Sequence, residues 1–426
     1  MKIAIIGSGI SGLGAAHALR DDARVTLYES GPRLGGHTNT VDVTLDGVTA
    51  GVDTGFLVYN ERTYPNLIRL FDELSIPVAK SDMSFGVSVA RGGGRRLEWA
   101  GTDLNAVFAQ RRNLLSPVFL GMLRDILRFN REATRIAQEP GRHDGLSLGE
   151  FLDRGGYGDA FRGWYLLPMA AAIWSCPMAT MLAYPLATFA RFCHNHGLLQ
   201  VENRPQWFTV RGGARQYVRR IASRIPDVRL GDEVVSVRRD SVTGQVVVKS
   251  RHATERYDHV VLACHSDQSL AVLADADAAE RSILSAVQYQ PNRAVLHTDT
   301  ALMPTLRSVW SSWNYMSDGG REPNVSVTYL LNRLQPLPFG TPVLLTLNPI
   351  TEPDAGKVIA EFDYAHPIFD GAAIAAQRRL ADAQGRRQVW FAGAWTGYGF
   401  HEDGLKSGLA VAHAILGLAP AHRLAA

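Results

Sequence analysis

The sequence predicts an α/β fold in which a parallel-sheet domain is interleaved with a second, α+β domain. Three observations predict it. An apolar strand pattern at the N-terminus runs through a glycine turn into a helical pattern, strand and glycine segments of the same type return in the middle and at the C-terminal end, and helical and strand-rich stretches separate them. At 426 residues the chain exceeds what one hydrophobic core fills. Apolar residues make up 46% of it, and no run of about 18 uncharged apolar residues offers a membrane span.

The first element is Lys2 to Ile6, followed by Gly7-Ser8-Gly9-Ile10-Ser11-Gly12 and a helical pattern through Leu19. Gly7 suits the tight turn, Gly9 lets backbone N–H groups approach a pyrophosphate, and Gly12 lets helix and strand pack closely. The helix start, with Ser11 in its first turn, offers positive dipole to an anion. A second strand, Arg24 to Tyr28, ends at Glu29, where a carboxylate can accept ribose hydroxyl protons and repel a 2′-phosphate. Strand, glycines, helix and terminal acid together define a Rossmann-type dinucleotide site.

The next residues carry a family resemblance. Glu29-Ser30-Gly31-Pro32-Arg33-Leu34-Gly35-Gly36-His37-Thr38 resembles the acid and Arg-x-Gly-Gly segment of flavin amine oxidases and phytoene-desaturase-like enzymes. The resemblance implies FAD, in a GR2-type, amine-oxidase-like Rossmann domain, with Gly35, Gly36 and the neighbouring Arg33 along its pyrophosphate and ribityl chain, and with Glu29, Ser30, Leu34 and His37 of the same segment also among the cofactor-binding residues. His37 stands where many relatives carry arginine. Val52 to Tyr59 resembles the segment beside the isoalloxazine ring, which implies that Gly55, Phe56 and Leu57 line it.

In the middle of the chain, Arg229 to Val237 and Gln245 to Ser250 read as strands around a turn at Thr243-Gly244. The resemblance puts Val234 where backbone pairs with adenine. Tyr257 to Cys264 reads as a further buried strand. At the C-terminal end, Val389 to Gly408 is similar to the family's last FAD segment: a strand ending at Gly393, a loop over the flavin, and a helix from about Gly404 capped by Asp403. Gly393, Trp395, Asp403, Gly404 and Leu405 are thereby implicated in cofactor binding. Ala394 and Trp395 replace the acid that many relatives place after the glycine, so Trp395 is expected over the ring. Gly404, Gly408 and Ala412 recur every four residues, a face suited to packing against the Rossmann strands. No cysteine follows Pro367, so the thioether attachment of monoamine oxidases has no candidate there, and non-covalent FAD is expected.

The expected division is residues 1-82, 206-287 and 368-426 for FAD and residues 83-205 and 288-367 for a substrate-binding cap. Tyr364 to Asp370 and the Gly-Phe-His-Glu-Asp-Gly-Leu run resemble a bacterial subfamily of predicted NAD/FAD-binding oxidoreductases. Association with cyclopropane-fatty-acid-synthase-like methyltransferases is implied, with dehydrogenation of acyl chains as the leading activity: hydride from an acyl C–H to flavin N5. Amine oxidation, redox-neutral fatty-acid isomerisation and non-catalytic flavin or lipid binding are the alternatives.

His401 and Glu402 are the candidates for proton transfer, because histidine titrates near neutrality and burial raises a glutamate toward it. The alternative gives them a role in shaping the loop. Cys193-His194-Asn195-His196 has poor metal spacing and reads as cap packing or pocket lining, so no metal site is expected. Tyr59, Trp174, Trp310 and Trp313 are candidate pocket aromatics.

The formal charge of +3 is too small to imply nucleic-acid binding. Cys176, Cys193 and Cys264 are isolated in sequence, and Met1-Lys2 runs straight into the first strand without the pattern of a secretory signal. A cytoplasmic protein is expected. Asn105 to Ala137 reads as a basic amphipathic helix, either solvated on its polar face or resting on an anionic membrane.

Overall fold

The computed structural model describes all residues except 140, 142, 144, 175–177, 201–203, 320–323 and 418–426; Cys176 lies outside the described residues. Among the described residues, five strands form a parallel sheet, in the order Asp227–Leu230, Arg24–Glu29, Lys2–Ile6, His259–Leu262, Val389–Phe391. Side chains of a strand alternate between faces, and Lys2–Ile6 shows the result. Ile3 and Ile5 enter one core cluster with Leu13 and Leu405. Ala4 and Ile6 enter another with Val237, Val248 and Tyr257. The first face is covered by the helices Ile10–Leu19 and His401–Ile415, the second by the antiparallel sheet Val234–Arg239, Val246–Ser250 and Thr254–Tyr257.

The stretch from Arg229 does not make one strand. Gly231, at φ +73°, breaks it, so Asp227–Leu230 joins the edge of the parallel sheet while Val234–Arg239 starts the antiparallel one. The left-handed conformation that glycine tolerates cannot continue a strand.

A seven-stranded mixed sheet takes its strands from Phe85–Arg91 and Arg95–Ala100 and from the region Gln288–His297 through Val358–Ile368. The helices Pro117–Gln138, Leu148–Arg154, Leu167–Trp174 and Leu186–Asn195 lie in the chain between its two parts. A buried carboxylate ties the halves together. Asp53 accepts from the Ala214 backbone N–H (3.0 Å to each oxygen) and from Gln335 Nε2 (2.6 Å). Burial pushes its pKa up to about 7, against the pull of those donors.

Candidate active site

A cavity of about 660 Å³ runs along the carboxyl ends of the parallel strands and continues beneath the larger sheet and the helices. Its lining falls into two sets. The strand ends contribute Gly7 to Ser11, Glu29, Ser30, Asp232 to Val234 and Ala263 to His265. The second set is largely aromatic and aliphatic, including Ile173, Trp174, Phe192, Leu198, Trp313, Tyr329 and Leu345. Of the pocket aromatics expected, Trp174 and Trp313 line the cavity. Tyr59 instead stacks on Phe208, and Trp310 donates its indole N–H to the Pro304 carbonyl.

The glycine turn is built as its spacing requires. Gly7 adopts φ +105° and donates its N–H to the Tyr28 carbonyl. A Cβ on Gly12 would stand 1.9 Å from the Gly7 carbonyl oxygen, so only glycine lets the helix start this close to the strand. A Cβ on Gly9 would meet no protein atom within 4 Å, and Gly9 lines the cavity. Glu29 accepts from the Ser8 N–H (3.1 Å) and the Gly31 N–H (2.8 Å), holding the second strand's end against the turn.

The Arg-Leu-Gly-Gly loop lies on that turn. The Gly35 N–H reaches Ser8, and a Cβ on Gly36 would stand 3.2 Å from the Gly9 Cα. Gly36 and His37 line the cavity; Gly35 and Leu34 do not, because Gly35 is the anchor and Leu34 packs on the core. Arg33 is not in the lining either: its guanidinium donates to the Gly36 and Thr38 carbonyls and so shapes the loop from outside.

Thr54 to Phe56 zips against His37 to Asn39 through two backbone hydrogen bonds of 2.9 Å. Gly55, Phe56 and Leu57 line the cavity, and a Cβ on Gly55 would clash with the His37 carbonyl at 2.1 Å. His37 stacks on Tyr364 with ring centroids 5.1 Å apart and neighbours His366 and His265. Its Nε2 is buried without a partner, and burial, with the other imidazoles second, holds its pKa well below the usual histidine value. The sequence offered no reason to group these three histidines, because they come from segments far apart in the chain.

Val234, Gly393 and Trp395 also line the cavity. Trp395 is nevertheless almost wholly buried among Val389, Phe391 and Val260, with its indole N–H on the Cys264 carbonyl. Asp232, overlooked in the sequence, lines the cavity beside Val234. One of its oxygens accepts from Ser250, and the other is buried without a partner.

The C-terminal segment differs from the expectation at several points. The last helix begins at His401, three residues before the expected start, and Asp403 sits in its first turn. There its carboxylate accepts from the Phe400 N–H (3.0 Å), as an acid three residues into a helix can, and it does not reach the cavity lining. Gly404 and Gly408 press against the helix Ile10–Leu19 instead of the strands: a Cβ on Gly408 would stand 2.1 Å from the Ser11 carbonyl oxygen. Leu405 packs on Gly14 in the core, and neither it nor Gly404 lines the cavity. Glu402 also points away from the cavity. It accepts from the Asn66 N–H (3.0 Å), the Asn66 side chain (2.6 Å) and the Leu67 N–H (3.0 Å), capping the helix Pro65–Glu73.

His401 does line the cavity, stacked on Phe56 at 3.8 Å, with Nε2 bonded to the hydroxyls of Thr38 (3.0 Å) and Tyr217 (2.9 Å). Burial lowers its pKa to about 3, so it does not titrate near neutrality as expected. His196 occupies the apolar part of the lining, stacked on Phe192. Its Nδ1 lies 3.0 Å from the Phe192 carbonyl, which can only accept, so the proton is on Nδ1 and Nε2 carries a lone pair. Nε2 has no hydrogen-bond partner among the described residues, which also contain no cluster of metal-binding side chains.

Fold and cavity together define a flavoprotein-type oxidoreductase. The family model described as flavin containing amine oxidoreductase matches residues 10–332, and the chain belongs to that family. A flavin cofactor comes with it. No curated protein sequence matches the chain. Solved structures similar to it include a putrescine oxidase double mutant, at 18% identity over 98% of this chain and 99% of the other, TM-score 0.68. Cyclohexylamine oxidase from Brevibacterium oxydans IH-35A is similar at 18% identity over 98% of each chain, TM-score 0.66. A CLA-producing fatty acid isomerase from P. acnes is similar at 16% identity over 96% of each chain, TM-score 0.64. At these identities the likeness is one of fold.

Proposed function

We propose that the chain binds FAD non-covalently and dehydrogenates a fatty-acyl chain. The observation that carries the substrate class is the lining beyond the strand ends: no acidic side chain contributes to it among the described residues. The acids of the lining all lie at the ends of parallel-sheet strands: Glu29 closes Arg24–Glu29, and Asp232 and Glu233 follow Asp227–Leu230. A long apolar chain gains by entering such a space, whereas an ammonium group would be desolvated there without a carboxylate, so an amine would have to enter in its neutral form.

The residues present fit FAD. Open space at Gly9 admits a pyrophosphate against the helix N-terminus, and Asp232 and His37 each bring an unpartnered polar atom. Gly7, Gly9, Ser11, Glu29 and Val234 would hold the dinucleotide part, and Gly36, His37, Gly55, Phe56, Leu57 and His401 the remainder. The Cys264 thiol in the lining is pushed up to about 11 by burial, which keeps it from acting as a thiolate nucleophile toward the cofactor.

Bound flavin supplies a two-electron acceptor for hydride from a substrate C–H. With hydride lost from one carbon, His196 Nε2 would take the proton of the adjacent carbon, whose C–H electron pair would form the double bond, with oxygen or another oxidant as the eventual electron acceptor. Phe192 fixes the imidazole through both the stack and the carbonyl. Burial lowers the pKa of His196 to about 4, so the ring is neutral and able to accept at neutral pH. The subsidiary resemblance to fatty-acyl-modifying bacterial oxidoreductases supports the same reading, including a methyltransferase acting on the acyl chain beforehand.

The test is anaerobic. Phospholipids with unsaturated or methyl-branched acyl chains should bleach the flavin band, and aliphatic amines should not. Bleaching by amines alone would assign the protein to amine oxidation, and product without bleaching or external acceptor to isomerisation.

A further inference from the structure

Thirteen large hydrophobic residues are exposed among the described residues, and six of them fall between positions 104 and 127. Leu104 is 77% exposed, Leu114 47%, Leu115 88%, Val118 57%, Leu120 43% and Leu127 55%. They sit on three consecutive elements: the helical turn Leu104–Val107, the 3-10 turn Arg111–Leu115 and the first half of the helix Pro117–Gln138. Arg111 joins the first two through a hydrogen bond to Asn105 Oδ1 (3.2 Å). Isolated exposed leucines need no explanation, but a group of six on adjoining turns is the kind of patch a soluble surface avoids.

The charges around this patch are arranged with it. Residues 103–135 contain six arginines and three acids. The acids are engaged locally: Asp103 caps the Ala106 N–H, Asp125 is buried and accepts from the Gly158 N–H, and Glu132 accepts from the Tyr157 hydroxyl. On the long helix, Leu120, Arg124, Leu127, Arg131 and Arg135 are all exposed and follow one another at spacings of three and four. They form one stripe about 22 Å long. Arg111, Arg112, Arg131 and Arg135 form no ion pair among the described residues.

We infer that this face docks on an anionic lipid bilayer, with Leu104, Leu115 and Val118 in the acyl boundary and the arginines among the phosphate groups. Charge complementarity selects that occupant: an apolar tip with an excess of guanidinium groups beside it matches an acyl layer roofed by phosphate. The helix Pro117–Gln138 packs directly on Leu186–Asn195, whose Phe192 lines the cavity, so one helix layer separates the lipid-facing stripe from the apolar lining.

Flotation tests this without substrate, so its outcome is separate from that of the proposed dehydrogenation. The holoprotein should float with vesicles of phosphatidylcholine and phosphatidylglycerol, less at high salt, and stay behind with phosphatidylcholine alone. Leu104→Asp with Leu115→Asp should lower the bound fraction by about tenfold or more. Arg124→Gln with Arg131→Gln should weaken binding while removing part of its salt dependence. These side chains are exposed, so flavin content and melting temperature should stay at the wild-type values and confirm folding. Two results would overturn the inference: wild-type protein that ignores anionic vesicles, or a double leucine variant that floats as well as wild type. A concentration-dependent dimer abolished by the leucine variant, without vesicle binding, would give the face to a second copy instead.

Discussion

Glu402 closes the N-terminus of another helix: its two carboxylate oxygens take the backbone N–H groups of Asn66 and Leu67. The acid beside His401 in sequence is therefore spent on structure, and the two neighbours face opposite tasks.

Replacing Glu402 by alanine is expected to destabilise the protein by about 1–3 kcal/mol, because the Leu67 N–H, which is buried, and the Asn66 N–H, which is partly so, lose their acceptor. Flavin bleaching per bound flavin should remain near wild type. Thermal unfolding and anaerobic reduction of the same sample check both halves.

His196→Phe keeps the ring volume and removes the lone pair. Turnover should fall by about 10²–10⁴-fold with flavin content retained, the loss usual for a general base. In the wild type, the reduction rate should be flat above pH 6 and fall as the pH approaches the His196 value of about 4.

Stability should also fall on acidification from about pH 6.5. His196, His297 and His366 have pKa values lowered to about 4 and His401 to about 3, mainly by burial. Between those values and 6.5 the unfolded chain binds more protons, so stability rises with pH across that window and is lost below it. Asp53 and Asp403, raised to about 7, act in the opposite direction over pH 4 to 7. Four imidazoles outweigh two carboxyls, and urea melts at several pH values should show net acid destabilisation.

Gly408→Val should prevent the last helix from seating, because even a Cβ there meets the Ser11 carbonyl at 2.1 Å. Loss of bound flavin together with a fall in melting temperature is expected. For the wild type, acid precipitation should leave all flavin in the supernatant as FAD, and flavin retained in the pellet would disprove non-covalent binding.

The turn residues show what could be read in advance. Gly7 and Gly12 each answer a local backbone demand, so spacing and residue type were enough to place them, whereas Gly55 came from the family resemblance and answers to the distant His37 carbonyl. The early start of the last helix was harder to see, since an acid can cap from its first turn as well as from before it. Arg33, Leu34 and Leu405 lie on segments correctly related to the cavity, but which way a side chain turns depends on neighbours from elsewhere in the chain.

By itself the sequence determined the first parallel strands and the glycine turn, because strand periodicity and glycine geometry act over a few residues, and its resemblance to the family supplied the segments that return to them. Only the tertiary structure decided that His37, His265 and His366 meet, that Glu402 faces Asn66, and that His196 keeps an unshared lone pair in the cavity. Those outcomes depend on packing between distant segments, where burial sets protonation and each polar atom takes the partner that folding brings within reach.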